Sequence, residues 1–415
     1  MKGTEGMIVF DSLKTCLSEA HSNQPFSWWD AEDDGWYPVL GRRIPAPGVK
    51  NLPTPLVKKR NKNIHINYDI LGLMYWMLAR VEEIDRNDLD DHGRFPATSS
   101  HAYKHGYLDR PVVDEWLHIL GEVIIYRWPG IKLKKHQPSS LISCDVDSPF
   151  STNKSFNSIL RQTAGDILKR KSFFELKKTL HKNWQGCRGN YEFDSYRMGI
   201  EFIMKTNEES NNSAAFYFIP CITHPRDNCS EKITRPRVRK LFREINSRGH
   251  EIGIHPGYNT HCHKENMDKS VSAFRDVLKQ ENIKQKLIGG RQHFLRWTHP
   301  RTTELWDDNG LDYDSSLGYA DVVGFRCGTC FQYPMFNPIT QESYKLLQKP
   351  LLVMESTVIS HKYMGLGYGY NAIKVVKDLQ DKCKKVGGNF VLLWHNSHLN
   401  SEKDREFYKT IISGI

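Results

Sequence analysis

The 415-residue sequence contains no run of about 18 uncharged apolar residues, so we expect no membrane-spanning helix. Its N-terminal stretch also lacks the long apolar segment and the small-residue cleavage site of a secretory signal. These absences predict a cytoplasmic protein, or one attached loosely to a membrane face. The length allows two or more domains, and the aliphatic and aromatic residues suffice for a sizeable core.

The sequence has one Cys-x-x-Cys pair, Cys327 and Cys330, and no second pair that would complete a four-thiolate zinc site. Its nine cysteines are odd in number and scattered, which suits a reducing compartment better than a disulfide framework. We therefore interpret Cys327 and Cys330 as packing thiols in a loop.

The formal charge of +10 is spread over short basic clusters at 132–136, 168–172 and 384–388. None of these clusters interleaves with aromatic residues, as a nucleic-acid platform would. We expect no nucleic-acid partner and interpret the clusters chiefly as solvated basic surface. The alternative that stays open is attraction to anionic lipid or to a nucleotide-linked sugar.

Two strongly apolar segments, 68–84 and 110–128, predict helices in the first third of the chain. A polar hinge at 134–140 follows them, and the pattern changes there. We therefore predict an N-terminal accessory domain of α+β class over 1–138 and a second domain over 139–415.

After the hinge, short apolar runs alternate with amphipathic segments of helical spacing, which favours parallel strands joined by helices. Seven such strands are about the number needed for a closed, somewhat irregular β/α barrel. The predicted strands are 141–144, 215–219, 251–254, 286–289, 311–313, 351–354 and 390–394.

Polar residues recur directly after most of these predicted strands. In a β/α barrel the carboxyl ends of all strands open onto one mouth, where the chemistry is done. The residues in this position are Asp145, Asp147, His255, Arg291, Asp314, Glu355 and His395. We interpret Glu355 as a structural charge.

Acids and histidines that converge on one mouth suit a divalent metal, most simply zinc with about three protein ligands and an open position. Asp147 and His255 are the first two expected ligands. A cation beside Asp147 leaves Asp145 as a base, with Arg291 as the partner that keeps it ionised. His395 is the expected general acid.

Five motifs, in their order and approximate spacing, resemble the polysaccharide deacetylase (NodB-homology) superfamily, the family 4 carbohydrate esterases. They are "SCDVDSP", "RGHEIGIHPGYN", "GGRQHFLRW", "LDYDSSLGYADVVGFRCGTC" and "FVLLWHN". The first part of the chain resembles the N-terminal domain of one subgroup, through "YDILGLMYWMLARVEEI", "DDHGRFPATSS" and "LDRPVVDEW".

This resemblance implies a deformed (β/α)7 barrel of the NodB-homology type with a smaller N-terminal α+β domain. It also implies a divalent metal and hydrolysis of an N- or O-acetyl group on a sugar. The implied roles are the base for Asp145, metal binding for Asp147 and His255, orientation of the base for Arg291, the acid for His395, and support of that acid for Asp314.

The sequence departs from the family pattern at three places. Val146 separates two acids that are usually adjacent, Asn259 stands where a second histidine is usual, and His293 replaces a proline. We expect Asn259 as the third metal ligand, and the alternatives that stay open are His261, His263 and His293. The candidate substrate contacts are His293, Trp394 and Tyr258.

The function that follows is deacetylation of a carbohydrate in surface polysaccharide or lipopolysaccharide biosynthesis, with a sugar nucleotide, a lipid-linked precursor or a polymeric glycan as substrate. Two alternatives stay open. One is a catalytically silent, glycan-binding barrel that scaffolds a polysaccharide-assembly complex. The other is a hydrolase of a non-sugar amide, since fold resemblance alone does not fix the substrate.

Overall fold

The structure is a computed structural model that describes residues 6–11, 15–151 and 194–414. The predicted basic cluster at 168–172 lies outside the described residues. By Cα proximity the chain divides into two compact units. The first unit comprises Met1–Leu141 and Phe294–Leu392, and the second comprises Ile142–His293 and Leu393–Gly414.

The N-terminal part of the first unit contains short strands that the sequence did not predict, because its beginning shows no clear alternation. Strand β5 pairs with β1 in parallel and with β4 in antiparallel orientation, and β2 and β3 form an antiparallel pair. The strands are β1 (Ile8–Phe10), β2 (Phe26–Asp30), β3 (Arg43–Pro47), β4 (Val57–Arg60) and β5 (Asn63–Ile66).

Three helices follow these strands: α1 (Ile70–Leu78), α2 (His101–Lys104) and α3 (Val112–Arg127). Both predicted helices are present, each with trimmed ends. The buried ring of Trp116 in α3 stacks on Tyr68, with ring centroids 4.2 Å apart, and its indole N–H donates to Pro45 O. These contacts hold α3 against the core of this part of the unit.

In the second unit, the strands β6 (Ser139–Val146), β7 (Ala214–Phe218), β8 (Glu251–Ile254) and β9 (Gly289–Gly290) run parallel in that order. Their last residues are level, since Val146 pairs with Phe218, Phe218 with Ile254, and Ile254 with Gly290. The side chains that follow these strands therefore begin at one edge of the sheet.

The helices of this part of the unit are α4 (Ser195–Glu209), α5 (Pro236–Ser247) and α6 (Lys264–Gln280). Helix α4 begins after Asp194, whose carboxylate accepts the N–H groups of Tyr196 and Arg197. Helices α5 and α6 bury one apolar face each, as the helical spacing predicts.

The remaining elements complete the α/β pattern. They are α7 (Arg301–Asp308), β10 (Tyr313–Asp314), β11 (Tyr333–Asn337), β12 (Glu342–Gln348), β13 (Val353–Met354), α8 (Glu355–Ile359), α9 (Tyr370–Val386), β14 (Asn389–His395) and α10 (Glu402–Ile412). The sequence did not predict β11 and β12, which form an antiparallel pair. Cys327 and Cys330 are buried free thiols.

All seven predicted strand regions contain a strand, although β9, β10 and β13 have only two residues each. The α/β class with parallel strands is therefore shown. No pairing that closes a barrel is found among the described strands, so the closed (β/α)7 form stays a prediction. The domain boundary near residue 138 also stays a prediction. Among the described helices, none is both long and apolar enough to cross a bilayer.

Candidate metal centre and active site

The level ends of the parallel strands bring three polar side chains to one edge of the second unit. Asp147 follows β6, His255 follows β8, and His293 lies three residues after β9. One ligand atom from each side chain lies within 4.8 Å of the ligand atoms of the other two.

The spacing of these three atoms fits a shared cation better than direct hydrogen bonds. Asp147 Oδ1 lies 3.4 Å from His255 Nε2 and 3.5 Å from His293 Nε2. A charge-assisted N–H···O bond would bring these atoms to about 2.7–2.9 Å. Tetrahedral zinc with bonds of about 2.0–2.1 Å would place its ligand atoms about 3.3–3.4 Å apart.

The carboxylate of Asp147 has one oxygen turned inward and without a hydrogen bond. Its Oδ1 is buried and has no hydrogen-bond partner, while 37% of the side chain is exposed. Burial alone would raise the pKa of Asp147, but the imidazoles of His255, His293 and His395 bring it below its ordinary value. An ionised, unsatisfied oxygen that faces two imidazole nitrogens is what a divalent cation requires.

In each imidazole, Nδ1 is hydrogen-bonded to an acceptor, and this contact directs Nε2 toward Asp147. His255 Nδ1 donates to the carbonyl oxygen of Arg291 at 2.5 Å, and His293 Nδ1 pairs with Asp227 Oδ1 at 2.8 Å. Metal-binding histidines are usually oriented in this way. In this orientation the Nε2 atom of each ring is the one that a cation would bind, with release of any proton that it carries.

Asp227 is a site residue that the sequence analysis missed. It lies in the loop after β7, the one predicted strand to which no polar residue was assigned. Its carboxylate accepts the N–H groups of Thr223, His224 and Tyr258. Burial alone would raise the pKa of Asp227, but the bond to His293 and these N–H groups lower it well below the ordinary range. An ionised Asp227 therefore fixes the orientation of His293.

Asp145 is buried beside this group, and its ionised form has a partner. Arg291 Nη1 lies 2.7 Å from Asp145 Oδ1, and the guanidinium lies 5.1 Å from the ring centroid of Tyr217. Asp145 Oδ2 faces His255 Nε2 at 3.7 Å. Burial alone would lower the pKa of His255, but Asp145 and Asp147 raise it above its ordinary value.

His261 and His263 are not part of the three-donor group, and the Asn259 amide has a contact of its own. Asn259 donates its side-chain N–H to Thr223 O at 3.2 Å. His261 Nδ1 lies 3.2 Å from Tyr258 O, and His263 is exposed just before α6. Among the residues left open for the third position, the structure therefore places His293 beside Asp147.

His395 is close enough to Asp147 to lower the pKa of that carboxyl, and its ring centroid lies 5.3 Å from that of His398. Asp314 belongs to the first unit, where its carboxylate accepts the N–H and hydroxyl of Ser316. Support of His395 by Asp314 stays a prediction.

The two aromatic candidates for substrate contact differ in placement. Trp394 is 1% exposed, packs edge-on against Tyr408, and donates its indole N–H to His398 O, and a contact of its ring with a sugar stays a prediction. Tyr258 is also largely buried. Its hydroxyl accepts a bond from Arg226 at 2.9 Å, and its ring stacks on His224.

The comparisons with known proteins find one matching family and several similar solved structures. A family of unknown function, DUF7033, matches residues 29–129, less than half of the chain. No curated protein matches the sequence.

Similar solved structures include one named as a polysaccharide deacetylase from Mycobacterium smegmatis, with 16% identity, a TM-score of 0.43, and coverage of 68% of this chain and 85% of that one. The Puue allantoinase has 15% identity and a TM-score of 0.40, with 69% and 85% covered. One named as a polysaccharide deacetylase from Pseudomonas aeruginosa PAO1 has 14% identity and a TM-score of 0.40, with 69% and 86% covered. These likenesses are distant, so the assignments below rest on the site's own geometry and on the sequence motifs.

Proposed function

We propose that this protein is a divalent-metal-dependent hydrolase that removes an N- or O-linked acetyl group from a carbohydrate. The proposal rests mainly on Oδ1 of Asp147, which is buried and has no hydrogen-bond partner. This atom faces His255 Nε2 at 3.4 Å and His293 Nε2 at 3.5 Å. The ion-paired Asp145, buried beside this donor group, adds a candidate base.

Asp147, His255 and His293 would hold the cation, and a donor set of one carboxylate and two imidazoles favours zinc among the divalent metals. A bound divalent cation of this kind lowers the pKa of water and polarises a carbonyl group. Three protein donors leave a coordination position open for the reacting group.

The protein's own residues supply the proton transfers. Arg291 binds Oδ1 of Asp145 and orients the carboxylate, which leaves Oδ2 to accept a proton from the attacking water. His395 donates a proton to the departing amine nitrogen or alkoxide oxygen. Asp314 supports His395, as the resemblance implies.

The substrate class follows from the five motifs rather than from the geometry of the site. We infer a sugar nucleotide, a lipid-linked precursor or a polymeric glycan in surface polysaccharide or lipopolysaccharide biosynthesis, handled in the cytoplasm. The silent, scaffolding alternative rested on Asn259 in place of a histidine. His293 supplies a third donor without Asn259, so we favour the hydrolase.

The direct test is acetate release from N-acetylated and O-acetylated sugars after chelation and re-addition of Zn²⁺, Co²⁺, Mn²⁺ or Ni²⁺. We expect release only with metal, and a loss of at least about 100-fold in Asp145→Asn because the base is removed. Asp276→Asn, an exposed residue of α6, is the matched control.

Two results would contradict the proposal. One is the absence of acetate release with every metal and every acetylated sugar. The other is hydrolysis that persists unchanged in Asp145→Asn. If the protein hydrolyses simple non-sugar amides and no acetylated sugar, its substrate belongs to the non-sugar amides that the sequence left open as an alternative.

A further inference from the structure

Helix α3 buries one face and carries large apolar side chains on the other. Leu117, Ile125 and Tyr126 are exposed on the helix, and Ile131 and Leu133 are exposed in the segment after it. Isolated exposed apolar residues are normal on protein surfaces, but a contiguous group marks a binding surface. We call these five residues the α3 patch.

The α3 patch is contiguous because the chain folds back over the helix. Leu117, Gly121 and Ile125 are spaced four residues apart and so share a face of α3. A Cβ atom on Gly121 would lie 3.1 Å from Leu133 Cδ1, which shows that Leu133 lies against the helix at this level. Leu133 therefore fills the space between Leu117 and Ile125.

An exposed tyrosine from the loop between β2 and β3, Tyr37, lies beside helix α3 and extends the patch. The N–H of Tyr37 donates to Glu122 Oε2 at 3.0 Å, and Tyr37 O lies 3.1 Å from His118 Nε2. The side chain of Tyr37 is 77% exposed. Tyrosine is enriched where proteins meet the interfacial region of a bilayer, because its ring is apolar and its hydroxyl is polar.

Cations surround these apolar side chains. Lys132 and Lys134 alternate in sequence with Ile131 and Leu133, and Lys135 follows. Lys59 on β4 places its Nζ 3.8 Å from the ring centroid of Tyr126. All four of these lysines are exposed.

Acidic residues are nearly absent from the segments that carry these cations. Within 117–136 and 57–66 the sequence has a single acid, Glu122, and its carboxylate already accepts the N–H of Tyr37. Segment 30–37, which carries Tyr37, has four acids, and two of them, Asp30 and Asp33, pair with Arg42. The eight lysines and arginines within 57–66 and 117–136 still leave an excess of positive charge beside the exposed apolar side chains.

We propose that the α3 patch docks this protein onto the surface of an anionic phospholipid bilayer. A bilayer surface offers negative charge at the headgroups and apolar volume just beneath them, and it complements both features of the patch. A nucleic acid or another soluble polyanion would use the lysines and leave five apolar side chains in water. The inference is independent of the proposed hydrolytic function.

The test is sedimentation of the full chain with vesicles of phosphatidylcholine alone, and with vesicles that also contain about 30% phosphatidylglycerol. We expect binding to the anionic vesicles only. Lys132→Glu with Lys134→Glu should weaken the binding by more than about 30-fold, since each lost basic residue removes about 1 kcal/mol and each new carboxylate adds repulsion. Ile131→Ser with Leu133→Ser should weaken it roughly ten-fold at unchanged charge.

The matched control is Lys284→Glu with Lys286→Glu, two exposed lysines at the same spacing beside an exposed leucine, Leu287. This control should bind anionic vesicles like the unmodified protein. Equal losses in the control and in the Lys132/Lys134 variant would overturn the proposal, as would no binding to anionic vesicles at all. An unchanged affinity of the Ile131/Leu133 variant would also overturn it and would point to a soluble polyanion.

Discussion

At the scale of single residues, the candidate site depends on which side chain supplies the third donor. Sequence reasoning named Asp147, His255 and Asn259 and left His261, His263 and His293 open as alternatives to Asn259. The structure places His293 beside them because Asp227, 66 residues earlier in the chain, holds its Nδ1. Ring orientation of this kind depends on a contact between distant loops, and the sequence alone does not show that contact.

His293→Ala should lower zinc affinity by more than about 100-fold, because it removes one of three donors. Asn259→Ala should bind zinc as the unmodified protein does, since the Asn259 amide N–H donates to Thr223 O and His293 supplies the third donor. Competition with a chromophoric chelator measures both affinities. A larger loss of zinc affinity in Asn259→Ala than in His293→Ala would show that Asn259 is the ligand.

Asp227→Asn should weaken zinc binding about 10- to 100-fold, the range typical of residues that orient a metal-binding histidine. Asp194→Asn is the matched control, because Asp194 also accepts backbone N–H groups at a loop but does not contact a donor imidazole. Zinc titration measures the affinity of each variant, and a thermal melting curve shows separately whether the substitution has lowered the stability of the fold. Equal zinc affinity in both variants would exclude the positioning role of Asp227.

At the scale of elements, the presence of the parallel strands was predictable and their bounds were not, since Asp145, Asp314 and His395 lie within the last two residues of their strands and not after them. The alternation of apolar runs with helical spacing identified β6, β7, β8 and β14, since buried parallel strands read as short apolar runs. Strands β11 and β12 were missed because they are antiparallel and partly exposed, with a sequence that resembles a polar loop. The N-terminal strands were missed because that part of the sequence shows no clear alternation.

Gly199 in α4 lies against the turn that begins after His395, the last residue of β14. A Cβ atom at this position would lie 2.2 Å from Asn396 O, so Gly199→Ala must displace the turn. We expect a loss of about 1–3 kcal/mol in stability and a lower catalytic rate with zinc affinity kept. Gly369→Ala, where a Cβ would have no neighbour within 4 Å, is the control for unfolding and rate measurements. An unchanged rate in Gly199→Ala would argue against His395 as the acid.

Asp114 joins the first turn of α3 to the loop at Thr329 and Cys330, which both donate to its carboxylate. Burial raises the pKa of Asp114 to about 7, against about 4 in an unfolded chain. The folded state therefore retains a proton that the unfolded state has released, and stability falls as the pH rises from about 4 to about 7.

Urea unfolding at pH 5 and pH 8 should show this loss in the unmodified protein and not in Asp114→Asn. The difference between the two proteins in the pH-dependent change of unfolding free energy should be about 1–3 kcal/mol. Parallel changes in both proteins would show that Asp114 titrates normally in the folded state.

At the scale of the whole molecule, the sequence predicted an α/β protein with an added N-terminal region, and the match of DUF7033 to residues 29–129 falls in that region. The resemblance of five short motifs carried the functional prediction, because they mark the strand ends at which side chains converge. What could not be predicted was the choice of donors, since His293 stands where the family usually has a proline and Asp227 lies outside all five motifs.

The measurement that tests the account most directly is a crystal structure of the zinc-loaded protein with data on both sides of the zinc absorption edge. The account predicts one strong anomalous peak bonded to Asp147 Oδ1, His255 Nε2 and His293 Nε2, at about 2.0–2.2 Å from each. A peak bound elsewhere, or no peak at these three atoms in fully zinc-loaded crystals, would contradict it.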